Sequence, residues 1–581
     1  MTPVVVVHGH FYQPPRENPW TGEVPRQPGA APFHDWNERV AAESYRPNGE
    51  AEILDDDARV VEVVNNYESL SFDVGPTLLA WLERHDPVTY RRILAGDRVG
   101  GGGMAQAFGH LILPLAHERD VRTQVRWGLA DFAHRFGRPA TGMWLPEAAV
   151  NDAVLGVLAE EGVAFTVLAP GQARRIRPLD GGDWVGVDAE SLPRHRPYRW
   201  RHPARDDLGV DIVFYDGPLS HAVAFELSGL SSSQLLDRIV ERTPDDGAVV
   251  LAADGESFGH HHVWTERLLA HALRVEAPGR GIHVATAGAV VAELRPTHEV
   301  EVGETSWSCA HGIERWRSDC GCSTGGGEGW RQEWRAPLRD ALDLLRSHLD
   351  DVFDRRGGAV LHDPWAARDD YVGVDLGTSS VEDFLTRHAT GDPVEALTLL
   401  EAQRDGMSMY TSCGWFFNDL AGIETVQVLR YAARVVDLLG ELGEPAPVEE
   451  FLARLGRATS NDPAEGDGRA IWDRHVVPAR VDARRVAGHL AVVQMLGGPA
   501  PAAGGSLAGF DIESHDGGVA AGEVWGQVVL RNHRTGRRTA LDYRARHRGG
   551  LVVDGKVGAD DFDITTLLPD TIDDVVAGLT A

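Results

Sequence analysis

The pattern of apolar and polar positions in the first 300 residues alternates between short apolar runs and longer amphipathic stretches. The apolar runs have the length of buried strands and lie at residues 3–7, 164–168, 210–215, 248–252 and 282–286. Helical spacing occurs between them, at residues 38–44, 77–85, 121–136, 149–160, 263–275 and 287–294. Strands that alternate with helices predict an α/β fold, built on a parallel barrel or an open sheet.

Beyond residue 300 the pattern changes twice. Helical spacing dominates first, at residues 331–353, 393–403, 424–442, 447–455 and 483–495, and predicts a helical bundle. From Ala508 onward, strand patterns and turn signals predict a β-rich region. We therefore expect three regions at residues 1–300, 301–500 and 501–581. The last is short for a sandwich, so we expect the chain to end inside a larger β-rich unit.

Several predicted strands end on polar side chains. The apolar run at residues 248–252 is followed at once by Asp254, Glu256 and the histidines His260–His262. The first strand ends at His8 and His10. In α/β enzymes the chemistry lies just past the carboxyl ends of the strands. The sequence therefore predicts an active site at these strand ends.

Another predicted strand end carries an acid, Glu147, which follows Trp144 and Pro146. Glu147 and Asp254 would be two carboxylates on separate strands, the minimum for glycoside hydrolysis. One must be ionised to attack the anomeric carbon, and the pKa of the other must be raised so that it is protonated. Acids at strand ends are also common as helix caps, so spacing alone leaves this chemistry open.

Tryptophans offer a second hint of sugar chemistry, because their flat apolar faces can pack against sugar rings. The candidates are Trp144, Trp264, Trp307 and Trp415.

Two rival chemistries use the same stretch. Residues 255–259 fit the Gly-x-Ser-x-Gly nucleophile elbow, in which Ser257 would attack an acyl group with His311 and Asp319 completing a triad. A metal hydrolase could instead use His8, His10, Asp254 and one of the histidines at 260–262. A glycan-binding protein without turnover is a third alternative. The residues alone do not choose between them.

Composition excludes some other classes. The chain has 56 basic and 87 acidic residues and a net charge of −31, which argues against a nucleic-acid partner because such binding needs clustered cations. The only lysine is Lys556, and Val557 follows it, so there is no Walker phosphate loop. Pyridoxal phosphate and Schiff-base chemistry need a lysine amine in the site, so both are excluded unless Lys556 supplies that amine.

The sequence also bears on location. We find no run of eighteen apolar residues, and the first residues lack the basic and apolar parts of a signal peptide. Four cysteines are too few for a disulfide scaffold in a chain of 581 residues. We therefore expect a cytoplasmic protein that does not bind a membrane.

Three of the cysteines lie close together in the sequence. Cys309, His311, Cys320 and Cys322 are four candidate zinc ligands within fourteen residues. Their spacing is not the usual Cys-x2-Cys of zinc fingers. Buried thiols in a reduced loop are the simpler interpretation, and a structural metal site stays an alternative.

Four segments resemble, in the same order, conserved regions of glycoside hydrolase family 57, which includes α-amylases, glucanotransferases and branching enzymes. They are His-Phe-Tyr-Gln-Pro at 10–14, His-Leu-Ile-Leu-Pro-Leu at 110–115, Trp-Leu-Pro-Glu at 144–147 and Asp-Gly-Glu-Ser-Phe-Gly-His at 254–260. The loop beginning at Ser306-Trp307 resembles a substrate loop of that family. The resemblance covers about residues 1–500.

The sequence departs from the family at three places, one of which is His261 and His262, where aromatic residues are common in the family. The first motif of the family commonly reads His-x-His-Gln-Pro, and here Tyr12 stands at the second histidine. Matching His8 and His10 instead requires a two-residue insertion. The cysteine-bearing loop is unusual and indicates a less characterised subgroup.

The resemblance implies an incomplete (β/α)7 barrel, with a helical bundle that covers the cleft, followed here by the β-rich region. It implies action on α-glucans with retention, by hydrolysis or by transfer to another sugar as in a branching enzyme. Glu147 would be the nucleophile and Asp254 the general acid/base. No metal or other cofactor is implied at the catalytic centre, and the expected partner is an oligo- or polysaccharide.

The resemblance also implies a set of substrate-binding residues. His10, His110, Glu256 and His260 would bind or orient the sugar, and Trp307 and Trp415 would serve as stacking platforms. Two residues within the matching motifs complete the set, Gln13 and Trp144.

Overall fold

The computed structural model of the protein describes residues 3–55, 57–243, 247–497, 501, 503–550 and 552–568. Seven strands of its first part build the core of the fold. They are β1 (Val4–Phe11), β2 (Ser71–Val74), β3 (Gly103–Gln106), β4 (Met143–Trp144), β5 (Phe165–Leu168), β6 (Arg205–Phe214) and β7 (Ala248–Asp254).

These strands follow one another around an incomplete barrel. β7, β1, β2, β3 and β4 are hydrogen-bonded in that order, and all of these pairs are parallel. A parallel bridge from Gly142 to Phe165 continues the order to β5, which pairs in parallel with β6. The backbone N–H of Asp216, just after β6, donates to the Val250 carbonyl of β7 at 2.6 Å. The predicted incomplete (β/α)7 barrel is therefore confirmed.

The valines of β1 show why these strands form a core. Val5, Val6 and Val7 are at most 1% exposed, so successive side chains are buried on both faces of the strand. β-branched side chains buried on both faces are typical of parallel strands that are covered by helices.

Helices cover the outside of the barrel, and several begin at a side-chain cap. The cap of the helix after β4 is Asn151, whose side chain accepts from the Val154 N–H. Ser231 and Gln234 form a capping box at the start of another helix. The helices are Pro76–His85, Pro87–Gly100, Glu118–Phe136, Asp152–Glu160, Gly217–Phe225, Ser232–Arg242, Thr265–His271 and Ala287–Glu293.

A second sheet extends the barrel beside β5 and β6, in a part of the sequence that we expected to be less regular. The added strands are Ala173–Pro178, Val185–Gly186, Tyr198–His202 and His298–Val302. The strand at 173–178 is rich in arginine and so lacks an apolar signal. Its arginines instead pair across the sheet, Arg175 with Glu301 and Arg177 with Glu299.

The rest of the barrel region holds a small hairpin, Ala51–Leu54 with Val60–Val64, and the short strand His283–Val284, which pairs with β1. The apolar pattern indicated neither strand of the hairpin, whereas it did indicate the strand at 283–284.

Helices then dominate the chain, as predicted. The long ones are Arg335–Val360, Pro393–Ser408, Ile423–Glu441 and Ala483–Met495. Shorter helices lie at Pro364–Asp370, Val372–Asp375, Val381–His388, Cys413–Phe416, Val448–Leu455 and Gly468–Ile471. Within the described part of the chain, no helix is both long enough and apolar enough to cross a membrane.

The last described part is an antiparallel meander, which confirms the predicted β-rich region. Its strands are Ser506–Leu507, Phe510–Ala520, Glu523–Asn532, Arg538–Gly549, Val552–Val557 and Asp560–Phe562. The sheet packs against the helix Ala483–Met495, where Tyr543 Oη donates to Gln494 Oε1 at 2.8 Å. The domain boundaries at residues 300 and 500 stay a prediction.

Candidate active site

Two histidines of β1 share one buried carboxylate. Side chains alternate along a strand, so His8 and His10 point to the same side. His8 Nε2 lies 3.0 Å from Asp73 Oδ1, and His10 Nδ1 lies 2.8 Å from Asp73 Oδ2. In the register of the sheet, His10 is opposite Asp73 on one neighbouring strand and Asp254 on the other. β1 therefore places His10 at the centre of the carboxyl edge of the barrel.

Aromatic rings pack around His10. Trp144 stacks on His8 and His10 with centroids 4.8 and 5.1 Å apart. Trp307 meets Trp144 edge-on at 5.0 Å, with an angle of 70° between the rings. Trp144 is fully buried, so it packs against the two histidines and has no exposed face for a sugar. This burial corrects the expected role of Trp144 as a packing face for sugar rings. Of Trp144 and Trp307, only the half-buried Trp307 can supply such a face.

His110 connects the barrel to the helical region. Its ring stacks on Tyr12 with centroids 3.7 Å apart, and its Nε2 lies 3.3 Å from His10 Nε2. On its other side, Nδ1 lies 2.6 Å from Ser412 Oγ. Tyr12 Oη and Thr411 Oγ1 form a further hydrogen bond of 2.9 Å. The segment at 411–412 is thus part of the site.

Glu147 follows β4 in an unusual backbone conformation. Its φ of 58° and ψ of 21° lie in the left-handed region, which a residue other than glycine adopts at a cost of order 1–3 kcal/mol. Its carboxylate Oε2 accepts hydrogen bonds from Trp307 Nε1 at 3.0 Å and Ser308 Oγ at 2.6 Å. The Trp307 N–H donates to the Glu147 carbonyl at 3.0 Å. The loop after the barrel therefore fixes both the backbone and the side chain of Glu147.

Asp254 is the last residue of β7 and lies open to the cleft, although protein surrounds it on the other sides. Burial raises the pKa of Asp254 to about 6, with a further increase from the charges of Glu147 and Asp73 and an opposing effect of His10. Glu147 and Asp254 are thus close enough for their charges to interact. One carboxylate of the pair favours the protonated form of the other.

Glu256 lies deeper than Asp254. Its Oε1 accepts from Tyr45 Oη at 2.5 Å and from the Tyr12 N–H at 3.2 Å. Burial raises the pKa of Glu256 to about 7, and the charge of Asp254 adds to this effect. Gly255 makes the turn between the two acids, and a Cβ there would lie 2.3 Å from the Phe11 ring. The turn therefore requires glycine.

The two central histidines differ in charge. Burial alone lowers the pKa of His10, but the carboxylates of Asp73, Asp254 and Glu256 outweigh it and raise the pKa to about 9. Burial and the charge of His10 keep the pKa of His110 well below its ordinary value. A cationic His10 therefore lies beside a neutral His110 at neutral pH.

The remaining predicted binding residues lie farther from the cleft. Gln13 is buried and donates to Tyr45 Oη at 3.1 Å, so it contacts the partner of Glu256. His260 Nδ1 lies 2.5 Å from Glu43 Oε2, toward the outside of the barrel. Trp415 is fully buried and stacks on Tyr410 at 6.3 Å. Trp415 has no exposed face, which corrects its expected role as a stacking platform.

Sequence reasoning missed several residues of the site. Asp73, which bridges the two histidines, lies on β2, and β2 has no apolar run of its own because Ser71 and Asp73 alternate with Phe72 and Val74. Alternation of this kind is typical of a strand and could have revealed it. Tyr45, Ser412 and Tyr215 were also missed; burial and the charge of Asp254 raise the pKa of Tyr215, so it lies near that acid.

The rival constellations are not assembled. Ser257 is 1% exposed, and His311 and Asp319 bond elsewhere, to Cys322 at 3.6 Å and to Arg331 at 3.0 Å. His260 pairs with Glu43, and His262 Nε2 lies 2.9 Å from the Ala224 carbonyl. Among the described residues, His8, His10, Asp254 and the histidines at 260–262 do not form a group with the separations of metal ligands.

The four candidate metal ligands do come together. Within the described ranges, one ligand atom from each of these residues lies within 4.8 Å of all the others: Cys309, His311, Cys320 and Cys322.

Comparison with known proteins gives two family matches. Residues 104–303 match the family described as Glycosyl hydrolase family 57, and residues 330–563 match the family described as Domain of unknown function (DUF3536). No curated protein matches the chain by sequence.

Solved structures are similar in fold. An exo-type maltose-forming amylase from Pyrococcus sp. ST04 is 15% identical with a TM-score of 0.62, over 81% of this chain and 88% of that one. A branching enzyme from Pyrococcus horikoshii is 15% identical with a TM-score of 0.46, over 83% and 99% of the two chains. A 4-alpha-glucanotransferase from Thermococcus litoralis is 12% identical with a TM-score of 0.48, over 96% and 84%. The similarity to the amylase shows a shared fold.

Proposed function

We propose that this chain, residues 104–303 of which match glycosyl hydrolase family 57, is an enzyme of the glycosidase or glucanotransferase type that acts on α-glucans with retention of configuration. The observation that carries the proposal is the pairing of Glu147 with Asp254. Glu147 accepts two hydrogen bonds on one carboxylate oxygen, and the pKa of Asp254 is raised to about 6. A retaining enzyme needs one carboxylate and one carboxylic acid.

In the first step Glu147 attacks the anomeric carbon. The hydrogen bonds from Trp307 and Ser308 both go to Oε2, so we assign the attack to Oε1. The bond from C1 to the glycosidic oxygen breaks while Asp254 donates its proton to the departing oxygen. The product is a glycosyl ester of Glu147, and Asp254 is left as a carboxylate.

In the second step Asp254 acts as a base. It takes a proton from water or from a sugar hydroxyl, the oxygen of which attacks C1, and the ester bond to Glu147 breaks. Configuration at C1 is inverted twice and so retained. Water gives hydrolysis and a sugar hydroxyl gives transfer or branching, so the same pair of residues serves both.

Access to solvent favours Asp254 over Glu256 as the acid. The pKa of Glu256 is also raised, to about 7, but its Oε1 is taken by Tyr45 and Tyr12 and the side chain is 7% exposed. Asp254 is open to the cleft. We therefore propose that Glu256 orients the site, together with Gln13 and Tyr45, and does not transfer the proton.

The rings around the cleft suit a sugar substrate. Trp307 is half-buried and can pack one face against a pyranose ring while its N–H holds Glu147. The cationic His10 donates to Asp73 Oδ2 and to His110 Nε2, and the neutral His110 donates through Nδ1 to Ser412 Oγ. The N–H groups of both rings are therefore taken by protein partners, and we propose that His10 and His110 orient the site while Trp307 contacts the sugar bound next to Glu147.

The test is the configuration of the first product. The protein is incubated with a maltooligosaccharide, and proton NMR follows the anomeric signals before mutarotation. We expect the α-anomer first, and chromatography of the same mixture separates glucose or maltose release from chain redistribution. An initial β-anomer would overturn retention. No sugar product at all would favour the alternative of a glycan-binding protein.

Azide separates the roles of the acids. In Glu147→Ala, azide can enter the vacated space and give the β-glycosyl azide from an activated α-glucoside. In Asp254→Ala, azide attacks the glycosyl ester and gives the α-glycosyl azide. Glu256→Ala serves as the matched control and is expected to give neither product. If Glu256→Ala gives the α-azide and Asp254→Ala does not, Glu256 is the acid/base.

A further inference from the structure

A long irregular loop lies beside Glu147. Residues 303–334 connect the strand His298–Val302 to the helix Arg335–Val360, and the 3-10 turn Glu314–Trp316 is their one regular element. Loops of this length without secondary structure are uncommon in compact domains and are usually functional. This loop carries Trp307 and Ser308, both of which donate to Glu147. Because the loop has almost no secondary structure, other interactions must fix its conformation.

The cysteines and the histidine of the loop have the spacing of metal ligands. Cys309 Sγ lies 3.9 Å from Cys320 Sγ and 3.9 Å from Cys322 Sγ, and Cys322 Sγ lies 3.6 Å from His311 Nδ1. With Zn–S bonds of 2.3 Å and Zn–N bonds near 2.0 Å, a tetrahedral site has ligand separations of about 3.8 Å and about 3.6 Å. The observed separations agree with such a site.

Two buried arginines supply a second, independent observation. Arg315 is 4% exposed and Arg335 is 0% exposed, and both lie within electrostatic range of the cysteine sulfurs. Two guanidinium nitrogens of each have no hydrogen-bond partner among the described residues. Buried positive charges need compensation, which Glu147 supplies in part to Arg315 and Asp319 to Arg335. One Zn²⁺ with three thiolates and one imidazole has a net charge of −1, which would provide it.

Other uses of the thiols fit less well. A disulfide has sulfur atoms about 2 Å apart and would leave one of the three cysteines and the histidine unexplained. In an iron–sulfur cluster the ligands bind different iron atoms, so some of the four ligand atoms would lie farther apart than the 4.8 Å that spans this set. Oxygen-preferring ions such as Mg²⁺ do not match three thiols and an imidazole.

We propose that Cys309, His311, Cys320 and Cys322 bind one Zn²⁺ in a tetrahedral site that fixes the loop at 303–334. Cys309 is adjacent to Ser308, so the metal anchors the chain one residue from a donor to Glu147. His311, Cys320 and Cys322 are partly or fully exposed, which gives the ion a path of entry. The effect on Glu147 rests on the proposed function, whereas the metal site does not.

The first experiment measures metal content. The full chain, purified without a metal-affinity tag or chelator, is analysed by plasma mass spectrometry together with its Cys320→Ser, Cys322→Ser and His311→Ala variants. We expect one zinc per chain in the wild type and a loss in each variant. The matched control is Cys413→Ser, because Cys413 is the cysteine outside the cluster, and we expect it to keep its zinc.

Cobalt checks the geometry. Replacement of the bound ion by Co²⁺ should give the intense visible absorption of tetrahedral cobalt and a sulfur-to-cobalt charge-transfer band. Wild-type protein that holds no zinc after incubation with it, or that carries a disulfide between two of the three cysteines, would overturn the proposal. The same holds if cobalt binds with an octahedral spectrum.

The second experiment tests the effect on Glu147. Zinc is removed from the intact protein with a chelator and then restored. We expect kcat on a maltooligosaccharide to fall about 10- to 100-fold and to recover, with a smaller change in KM. Unchanged kcat in zinc-free protein would overturn the effect on Glu147. If the intact protein shows no turnover, the proposed function fails, and the zinc stoichiometry still decides the metal site.

Discussion

The charge of His10 opposes the effect of burial on the pKa of Asp254. A general acid must be protonated, so activity is lost as the pH rises through its pKa. The pKa of Asp254 is about 6, and the cationic His10 lowers it against the effect of burial. We expect kcat/KM to decline above about pH 6 in the wild type. We expect the decline to move to higher pH in His10→Gln, because the neutral amide no longer opposes the raised pKa.

The measurement is the pH profile of kcat/KM on one maltooligosaccharide. His134→Gln is the control, since His134 is exposed on the helix Glu118–Phe136, and its profile should match the wild type. A decline in His10→Gln that stays in place or moves to lower pH would show that His10 does not act on the acid.

Trp307 and Ser308 both donate to carboxylate oxygen Oε2 of Glu147, so we expect the rate of attack by Glu147 to depend on them. Glu147→Gln should lower kcat about 10⁴-fold or more, since it removes the nucleophile. Ser308→Ala removes the 2.6 Å hydrogen bond to Oε2, and a hydrogen bond to a charged group contributes about 1.5–3 kcal/mol. We therefore expect kcat to fall about 10- to 100-fold.

Steady-state kinetics on the purified variants check this expectation. The matched control is Ser323→Ala, a loop serine that donates to the Gly325 carbonyl and not to Glu147. Equal effects of the two serine substitutions would mean that the hydrogen bond to Glu147 does not matter for the reaction.

The turn after β7 places both acids at the end of that element. A Cβ at Gly255 would lie 2.3 Å from the Phe11 ring, and Phe11 is 1% exposed, so the ring cannot move aside freely. We expect Gly255→Ala to destabilise the protein by about 1–3 kcal/mol and to lower kcat, because the turn must shift. Gly229→Ala is the control, since a Cβ there would meet none of the described residues within 4 Å and the φ of Gly229 is not positive.

Urea unfolding and kinetics measure both quantities. A loss of stability without a loss of kcat in Gly255→Ala would show that Asp254 and Glu256 are positioned independently of the turn.

Sequence patterns predicted elements best where burial is uniform. β1 and β7 are nearly continuous apolar runs with polar ends, so both the strands and the polar side chains at their ends were predictable. The strand Ala173–Pro178 was not, because arginine–glutamate pairs stabilise it. Asp73 was not predicted because its strand is short and half of the strand's residues are polar.

Burial explains the errors among the aromatic residues. Trp307 and Trp415 look alike in sequence, and tertiary packing alone makes one half-buried in the cleft and the other fully buried. The cysteine cluster was predictable from the sequence only in part. Its residue types were visible in the sequence, but their separations depend on how an irregular loop folds.

At the scale of the whole molecule, a buried ion cluster joins the C-terminal sheet to the helices. Arg534 lies 2.8 Å from Glu401, which is 2% exposed, and it also pairs with Asp375. Arg534→Ala would leave these carboxylates with Arg404 as the remaining charged partner, beside the hydroxyl of Tyr371 that donates to Glu401. Because Arg534 is about one-third exposed, we expect a moderate loss of about 1–3 kcal/mol in the free energy of unfolding.

Urea unfolding compares Arg534→Ala with Arg538→Ala. Arg538 pairs with Glu513 at the surface of the same sheet, and we expect its substitution to cost less than about 1 kcal/mol. Similar losses in the two variants would show that the cluster does not join the sheet to the helices.

The long-range contacts of the active site have a consequence for synthesis. Ser308 follows Glu147 by 161 positions, and Ser412 follows His110 by 302. A ribosome therefore completes β1 to β7 well before these partners emerge. We expect the nascent barrel to lack activity until translation has passed the helices that complete the site.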